Sequence, residues 1–187
     1  MKKIDGHHLV LGEIADFLTG KTIQDTHDER YRQEIARILV EQKGFAKEEI
    51  RSRRDLRVTA GGNCAVIKVD FSVKIADRVC MIIRYAPGSL VTRHRPALAA
   101  SRTLTGYQIP VVVVTNGRDA EILDGASGAV TARGLQAIPS KQELVNRIRS
   151  ADFEEISEKR SERELRILYA FDVDDSCPCD TDICRLP

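Results

Sequence analysis

The first clearly periodic segment of the chain follows Asp25 and Thr26, whose side-chain oxygens are suited to capping the start of a helix. Residues 9–19 already predict a short helix, which Gly20 ends. After Thr26, apolar side chains recur at the spacing of an amphipathic helix, at Tyr31, Ile35, Ile38 and Leu39. The pattern therefore predicts two helices before the first strand.

From residue 56 the pattern changes to one that favours β-strands. Residues with high strand propensity are concentrated in three runs, at 56–59, 65–75 and 78–85. Turn-forming residues separate these runs, which is typical of an antiparallel meander. We therefore expect three consecutive strands, each paired with the next.

A helix is predicted over residues 96–104, and the strand that follows it, over 109–115, is apolar enough to be buried on both faces. A further strand is expected over residues 120–123. Ser140 and Glu143 form the sequence pattern of a capping box at the start of another helix. The order of elements predicts an α/β domain whose mixed β-sheet is flanked by helices.

The pattern divides the chain into four parts. We expect an N-terminal extension at 1–24, an α/β core at 25–150, a charged C-terminal helix at 151–171 and an acidic, cysteine-containing tail at 172–187. Charged residues surround a broken apolar stripe in residues 153–169, and we interpret this helix as exposed and available to dock a partner, including a second copy of the chain.

Composition narrows the class of protein. The chain has 187 residues, of which 42% are hydrophobic and 30% charged, and its formal net charge is +1. These values fit one globular domain and provide no overall field that would attract nucleic acid or a membrane. No apolar run approaches the ~18 residues of a membrane span, and no signal peptide is evident. We expect a cytoplasmic protein without a disulfide framework.

Asp70 is the residue that most invites a functional interpretation. It lies in the middle of an apolar strand, where a carboxylate is costly unless it is paired, protonated or bound to metal. Strict alternation places Asp70 with Lys68 and Ser72 on one face of the strand, and Val69, Phe71 and Val73 on the other. The polar face is either the solvent side of the sheet or the lining of a cleft.

Several motifs occur together in the order found in a known family. They are Tyr31-Arg32-Gln33-Glu34 in the first amphipathic helix, the strand with Asp70, the sequence Ala86-Pro87-Gly88 after the next strand, Val111-Val112-Val113-Val114-Thr115-Asn116-Gly117-Arg118, and Ile138-Pro139-Ser140. From residue 29 to residue 169 the chain resembles the N-terminal domain of type I restriction enzyme R subunits. The resemblance implies the restriction-endonuclease-like fold of the PD-(D/E)xK nucleases, a mixed β-sheet flanked by helices.

The resemblance also implies site residues. Asp70 matches the first metal-binding aspartate of the family, and Glu34, placed on the inward side of its helix, matches a glutamate that some members add to the metal site. The family's second carboxylate and its lysine fall on Ile83 and Tyr85. These replacements predict a degenerate nuclease that does not cleave DNA and needs no cofactor. Mg²⁺ is expected only if cleavage persists.

Three functions remain open at this point. The first is an interaction domain, and the second is weak, non-specific DNA binding through the arginines on either side of the meander, namely Arg51, Arg53, Arg54, Arg84, Arg93 and Arg95. The third is a metal-dependent DNA endonuclease with ligands recruited from Asp119, Glu121 or Asp124. If Asp70 is only a remnant, Asp70→Asn should change the stability by no more than ~1–2 kcal/mol.

The tail contains Cys177, Cys179 and Cys184. Three thiolates are one ligand short of a structural zinc site, so a metal site here is a weak hypothesis. The alternative is a solvated acidic tail with exposed thiols.

Overall fold

The computed structural model describes residues 10–174 and 183–186. Four α-helices and nine β-strands are present in these ranges. In chain order they are β1 Gly12–Ala15, β2 Thr22–Asp25, α1 His27–Arg37, β3 Ile50–Ala60, β4 Asn63–Ile75, β5 Arg78–Tyr85, α2 His94–Thr103, β6 Val111–Thr115, β7 Ala120–Asp124, β8 Val130–Arg133, α3 Lys141–Ile148, α4 Glu158–Leu168 and β9 Cys184–Leu186. A π-helical turn, Tyr169–Asp174, extends α4.

Strands β3 to β9 form one mixed sheet in which β3 to β8 lie in sequence order. All neighbouring strands are antiparallel except β5 and β6, which are parallel and are connected through α2. A parallel pair needs such a crossover because a tight hairpin cannot join it. The predicted α/β domain with a mixed sheet flanked by helices is confirmed.

The sheet separates two hydrophobic clusters. The cluster on the α1 face includes Ile35 and Leu39 of α1 together with Ile83 of β5. The cluster on the α2 face includes Ile82 of β5 and Leu168 of α4. Neighbouring residues of β5 thus belong to opposite faces, as expected for an extended strand.

Local sequence patterns predicted the central elements. The meander corresponds to β3, β4 and β5, and β6 is buried along its whole length. Thr26 caps α1 by accepting a hydrogen bond from the backbone N–H of Glu29. Ser140 and Glu143 form the expected capping box at α3. These predictions are confirmed because the interactions that determine them lie within a few residues of sequence.

The helix predicted over residues 9–19 is wrong, because this segment contains β1, which pairs with β2 as an antiparallel hairpin. The Asp16 carboxylate accepts hydrogen bonds from the backbone N–H and the hydroxyl of Thr19, and Gly20 has a φ of 72°. These contacts favour a turn over a helix. The N-terminal extension therefore includes a hairpin immediately before α1.

The prediction that the C-terminal helix is exposed is wrong for one of its faces, which packs on the sheet domain. Leu168 is fully buried, and Glu164 is only 5% exposed because it forms ion pairs with Arg95 and Arg102 of α2. Helix α4 therefore covers part of the α2 face. No helix in the described ranges is long and apolar enough to cross a membrane.

Part of the predicted solvated tail is packed against the sheet. Val173 is fully buried, and β9 pairs with residues Cys64, Ala65 and Val66 of β4. Cys184 lies in β9 and is exposed. Cys177 and Cys179 lie outside the described residues.

Candidate functional site

The ladder between β3 and β4 is interrupted where Arg53 lies opposite Asp70, although the pairs on either side are formed. Arg53 has a φ of 50°, in the left-handed region that residues with a side chain seldom adopt. Val69 packs on the α2 face, whereas Phe71 and Val73 pack on the α1 face. The predicted regular alternation, with these three residues on one face, is wrong because the backbone is irregular at this point.

Asp70 lies at this irregularity and is buried. Its Oδ1 accepts a hydrogen bond from Nε of Arg32 at 2.7 Å, and its Oδ2 accepts one from the backbone N–H of Tyr85 at 2.8 Å. Nε of Arg84 is 3.8 Å from the same Oδ2. Asp70 and Ser72 are 6% and 0% exposed, so at these two residues the polar side of the strand does not face solvent.

Six charged side chains form a continuous series of ion pairs around Asp70. In spatial order the series is Arg53, Glu29, Arg32, Asp70, Arg84 and Asp172. It connects β3, α1, β4, β5 and the turn that follows α4. We call these residues the ion-pair series.

The acidic members of the ion-pair series are its most buried members. The side chains of Glu29, Asp70 and Asp172 are 2%, 8% and 10% exposed. Gln33 donates hydrogen bonds to Glu29 and to Asp16, so the polar contacts extend to the β1–β2 hairpin. Buried charges are tolerated when they are paired and hydrogen-bonded in this way.

Ile83 and Tyr85 lie on the α1 face next to Asp70. Ile83 is fully buried. The Tyr85 ring stacks on Tyr31, and its hydroxyl donates a hydrogen bond to Asp28 at 2.9 Å. Burial, together with the hydrogen bond to Asp28, raises the pKa of the Tyr85 phenol, so the hydroxyl stays protonated at neutral pH. These two side chains fill the space beside Asp70 with neutral groups.

Glu34 does not belong to this site. Its side chain is exposed, so the predicted inward orientation is wrong. The carboxylate of α1 that joins the ion-pair series is Glu29, five residues earlier, which sequence reasoning missed. Glu29 precedes Gln33 by four residues and Ala36 by seven, and this spacing places the three residues on one face of a helix. All three are buried in the structure.

Most of the arginines proposed for DNA binding are engaged within the protein. Arg53, Arg84 and Arg95 form ion pairs, and Arg54 donates to the backbone oxygen of Leu104 at 3.4 Å. The remaining two differ from each other: Arg51 is exposed, whereas Arg93 is half-buried. The structure does not bring the six arginines together as one free basic surface.

The alternative metal ligands are also engaged elsewhere. Glu121 accepts a hydrogen bond from Arg133 and contacts His94 at 2.5 Å, and the hydrogen bond from Arg133 contributes most to lowering the pKa of Glu121. Asp119 and Asp124 stabilise turns by accepting local hydrogen bonds. Among residues 10–174 and 183–186, no group of three His, Cys, Asp or Glu side chains is placed to hold one metal ion.

Comparison with known families agrees with this architecture. The sequence model described as type I restriction enzyme R protein N terminus matches residues 27–139, which is more than half of the chain. This chain belongs to that family. The match extends from α1 to the segment after β8 and includes Asp70, Ile83 and Tyr85. No curated protein and no solved structure matches the chain.

The family predicted from the resemblance is thus confirmed, and so is the mixed α/β fold that it implies. The matched region does not include α4, the turn after it or β9. These C-terminal elements nevertheless contribute to the same structure, because Asp172 completes the ion-pair series and Leu168 is part of the α2-face cluster.

Proposed function

We propose that this chain is a member of the type I restriction enzyme R protein N-terminal family that does not cleave DNA and acts as an interaction domain. The observation that carries the proposed absence of cleavage is the environment of Asp70. Both of its carboxylate oxygens already accept hydrogen bonds from protein donors, and an arginine lies on either side.

The residues around Asp70 do not fit a magnesium site. Mg²⁺ prefers oxygen ligands in a near-octahedral arrangement, and metal-assisted hydrolysis also needs charge near the attacking water. The two neighbouring positions carry Ile83 and Tyr85, and the nearest cations are the guanidinium groups of Arg32 and Arg84. We therefore assign no catalytic step to a metal ion at this position.

The charge distribution argues against DNA binding as the main role, and we therefore keep the interaction domain as the proposal. Four of the six candidate arginines bind acceptors of the protein itself, so they are not free to neutralise phosphates. Any residual DNA affinity is expected to be non-specific, with a dissociation constant of ~10⁻⁴ to 10⁻⁶ M at physiological salt. Fluorescence anisotropy at two salt concentrations measures this affinity, and a tight, salt-insensitive interaction would contradict the assignment.

A nicking assay tests the absence of cleavage. Supercoiled plasmid is incubated for hours with micromolar protein and Mg²⁺ or Mn²⁺, using the wild type, Asp70→Ala and the matched variant Asp55→Ala. Asp55 is a suitable control because it lies on the adjacent strand with its side chain 65% exposed. We expect no nicking above the metal-only background. Nicking by the wild type and Asp55→Ala that Asp70→Ala lacks would overturn the proposal.

A further inference from the structure

The strands at the two ends of the seven-stranded sheet differ in length. Strand β8 has four residues, whereas β3 at the other end has eleven. Proteins usually keep edge strands short or distort them, because their unpaired backbone groups can pair with another chain. The left-handed backbone of Arg53 distorts only the first half of β3. Residues 54–60 are regular and pair with β4 without interruption.

The outer edge of residues 54–60 has backbone groups without a partner. Within the described part of the chain, the backbone of this segment forms hydrogen bonds with β4 alone. An edge strand presents a row of N–H and C=O groups on the side away from its neighbour. Another extended segment can therefore add to the sheet at this edge through main-chain hydrogen bonds.

Two exposed side chains of opposite charge lie close together on this segment. Leu56 is buried in the α2-face cluster, so Asp55 and Arg57 point to the opposite face, where both are exposed. Asp55 also pairs with Lys68 of β4, and Arg57 donates a hydrogen bond to the thiol of Cys64. A carboxylate has a second oxygen and a guanidinium has further N–H groups, so both side chains can bind a partner across the edge as well.

We propose that β3 pairs antiparallel with β3 of a second copy of this chain, about a two-fold axis at Leu56. The proposal rests on the interaction-domain function proposed above and names the partner. Pairing about this axis places Asp55 of each copy directly opposite Arg57 of the other. The two seven-stranded sheets then become continuous.

The charges of the edge favour this register over its neighbours. Opposite charges that face each other across adjacent antiparallel strands stabilise the pairing, and like charges destabilise it. An axis at Asp55 would place two aspartates opposite each other, and an axis at Arg57 would place two arginines opposite each other. The axis at Leu56 brings opposite charges together twice, once on each side of the axis.

The dimer and the absence of cleavage are tested separately. Asp70 is buried on β4 and is not part of the open edge. A monomeric protein would overturn the dimer without changing the result of the nicking assay. Nicking that depends on Asp70 would overturn the absence of cleavage without changing the oligomeric state.

Sedimentation velocity of the full chain over a series of micromolar concentrations tests the proposal. Reductant is present throughout, so that dimers linked through the exposed Cys184 do not contribute. The variants are Asp55→Arg, Arg57→Asp and the matched charge reversal Arg118→Asp, at an exposed arginine in the turn between β6 and β7. Circular dichroism verifies that each variant is folded.

We expect the wild type and Arg118→Asp to form dimers of equal affinity. Each single substitution at the edge replaces both Asp–Arg pairs by like-charge pairs, and should weaken the dimer about tenfold or more. An equimolar mixture of Asp55→Arg and Arg57→Asp should dimerise like the wild type, because every pair across the edge again combines opposite charges. This recovery requires the two segments to face each other, and a variant that has merely lost its fold would not show it.

A wild type that stays monomeric would overturn the proposal, and it is the outcome expected if a strand of another protein occupies the edge. A dimer that neither substitution at the edge weakens would also overturn it, because the contact would then lie elsewhere. The same conclusion would follow if the mixture dimerised no better than either variant alone.

Discussion

Replacing Asp70 by asparagine isolates the charge at the centre of the ion-pair series. Asparagine has nearly the same size, but it keeps one acceptor oxygen where the carboxylate has two. Its amide group would face a donor, either Nε of Arg32 or the backbone N–H of Tyr85. Arg32 and Arg84 would also lose the carboxylate that lies between them.

The expected loss of stability is about 3 kcal/mol, the lower end of the range for removing one partner of a buried ion pair. A hydrogen bond to a charged group contributes about 1.5–3 kcal/mol, and Asp70 accepts two, of which asparagine retains one. Glu29 and Asp172 still neutralise the two arginines, which limits the loss. The expectation of at most ~1–2 kcal/mol, made from the sequence, did not include these partners.

Urea denaturation followed by circular dichroism at pH 7 measures the change in unfolding free energy. The control is Asp55→Asn, which removes an exposed carboxylate paired with Lys68 and should cost less than about 1 kcal/mol. In thermal unfolding, 3 kcal/mol corresponds to a decrease in Tm of roughly 6–12 °C for a chain of this length.

A double-mutant cycle with Arg32→Gln and Asp70→Asn measures the interaction energy between these two side chains, apart from the other effects of each substitution. We expect a coupling energy of about 1–3 kcal/mol, since the two residues are in direct contact. The reasoning would be refuted if Asp70→Asn remained within about 1 kcal/mol of the wild type, or if the coupling fell below about 0.5 kcal/mol.

Three further predictions concern other parts of the structure. The double substitution Ile83→Glu and Tyr85→Lys introduces the residue types that the resemblance implies at these positions. It should lower the free energy of unfolding by several kcal/mol, because Ile83 is fully buried and would be replaced by a charged side chain. Stability equal to the wild type in urea would contradict this. Glu164→Gln should lower the free energy of unfolding by about 2–4 kcal/mol, because it leaves two arginines of α2 without their carboxylate. The exposed control Glu162→Gln should lower it by less than about 0.5 kcal/mol. Equal melting temperatures for both variants would refute the role of Glu164. Burial alone would raise the pKa of Asp16, but hydrogen bonds from Gln33 and Thr19 hold this pKa below its ordinary value of 3.8. The ionised carboxylate therefore stabilises the fold above pH 3.8, and this contribution is lost as the pH falls through the folded-state pKa. Asp16→Asn should reduce the acid dependence of the unfolding free energy below about pH 5, and an unchanged slope would show that the hydrogen bonds do not matter.

The elements that the sequence predicted correctly depend on local interactions. The capping box at Ser140 and the apolar run of β6 are determined by residues close together in the chain. The helix proposed over residues 9–19 was wrong because a short apolar segment fits more than one period. Its conformation depends on the turn at Asp16 and Thr19 and on pairing with β2.

The candidate site was less predictable because its partners are distant in sequence. Asp70 was identified from its apolar neighbours, but Arg32 lies 38 residues before it, and Asp172 joins Arg84 from 88 residues away. Glu34 was chosen over Glu29 because the face of α1 that packs on the sheet was assigned incorrectly from the sequence. A charged helix such as α4 also has the pattern of an exposed surface until the arginines that pair with Glu164 are located on α2.

The chemistry at Asp70 and the packing of the domain cannot be changed independently. A carboxylate buried to this extent needs positive charge nearby, whether a divalent cation or a guanidinium group supplies it. Here Arg32 and Arg84 supply it, and both are tied to further carboxylates, Glu29 on α1 and Asp172 beyond α4. A metal ion at Asp70 would have to displace these arginines and leave their other partners with unbalanced charge. Introducing on β5 the glutamate and lysine that the resemblance implies therefore should not by itself create a metal site, because the ion-pair series that occupies the position would also have to be removed.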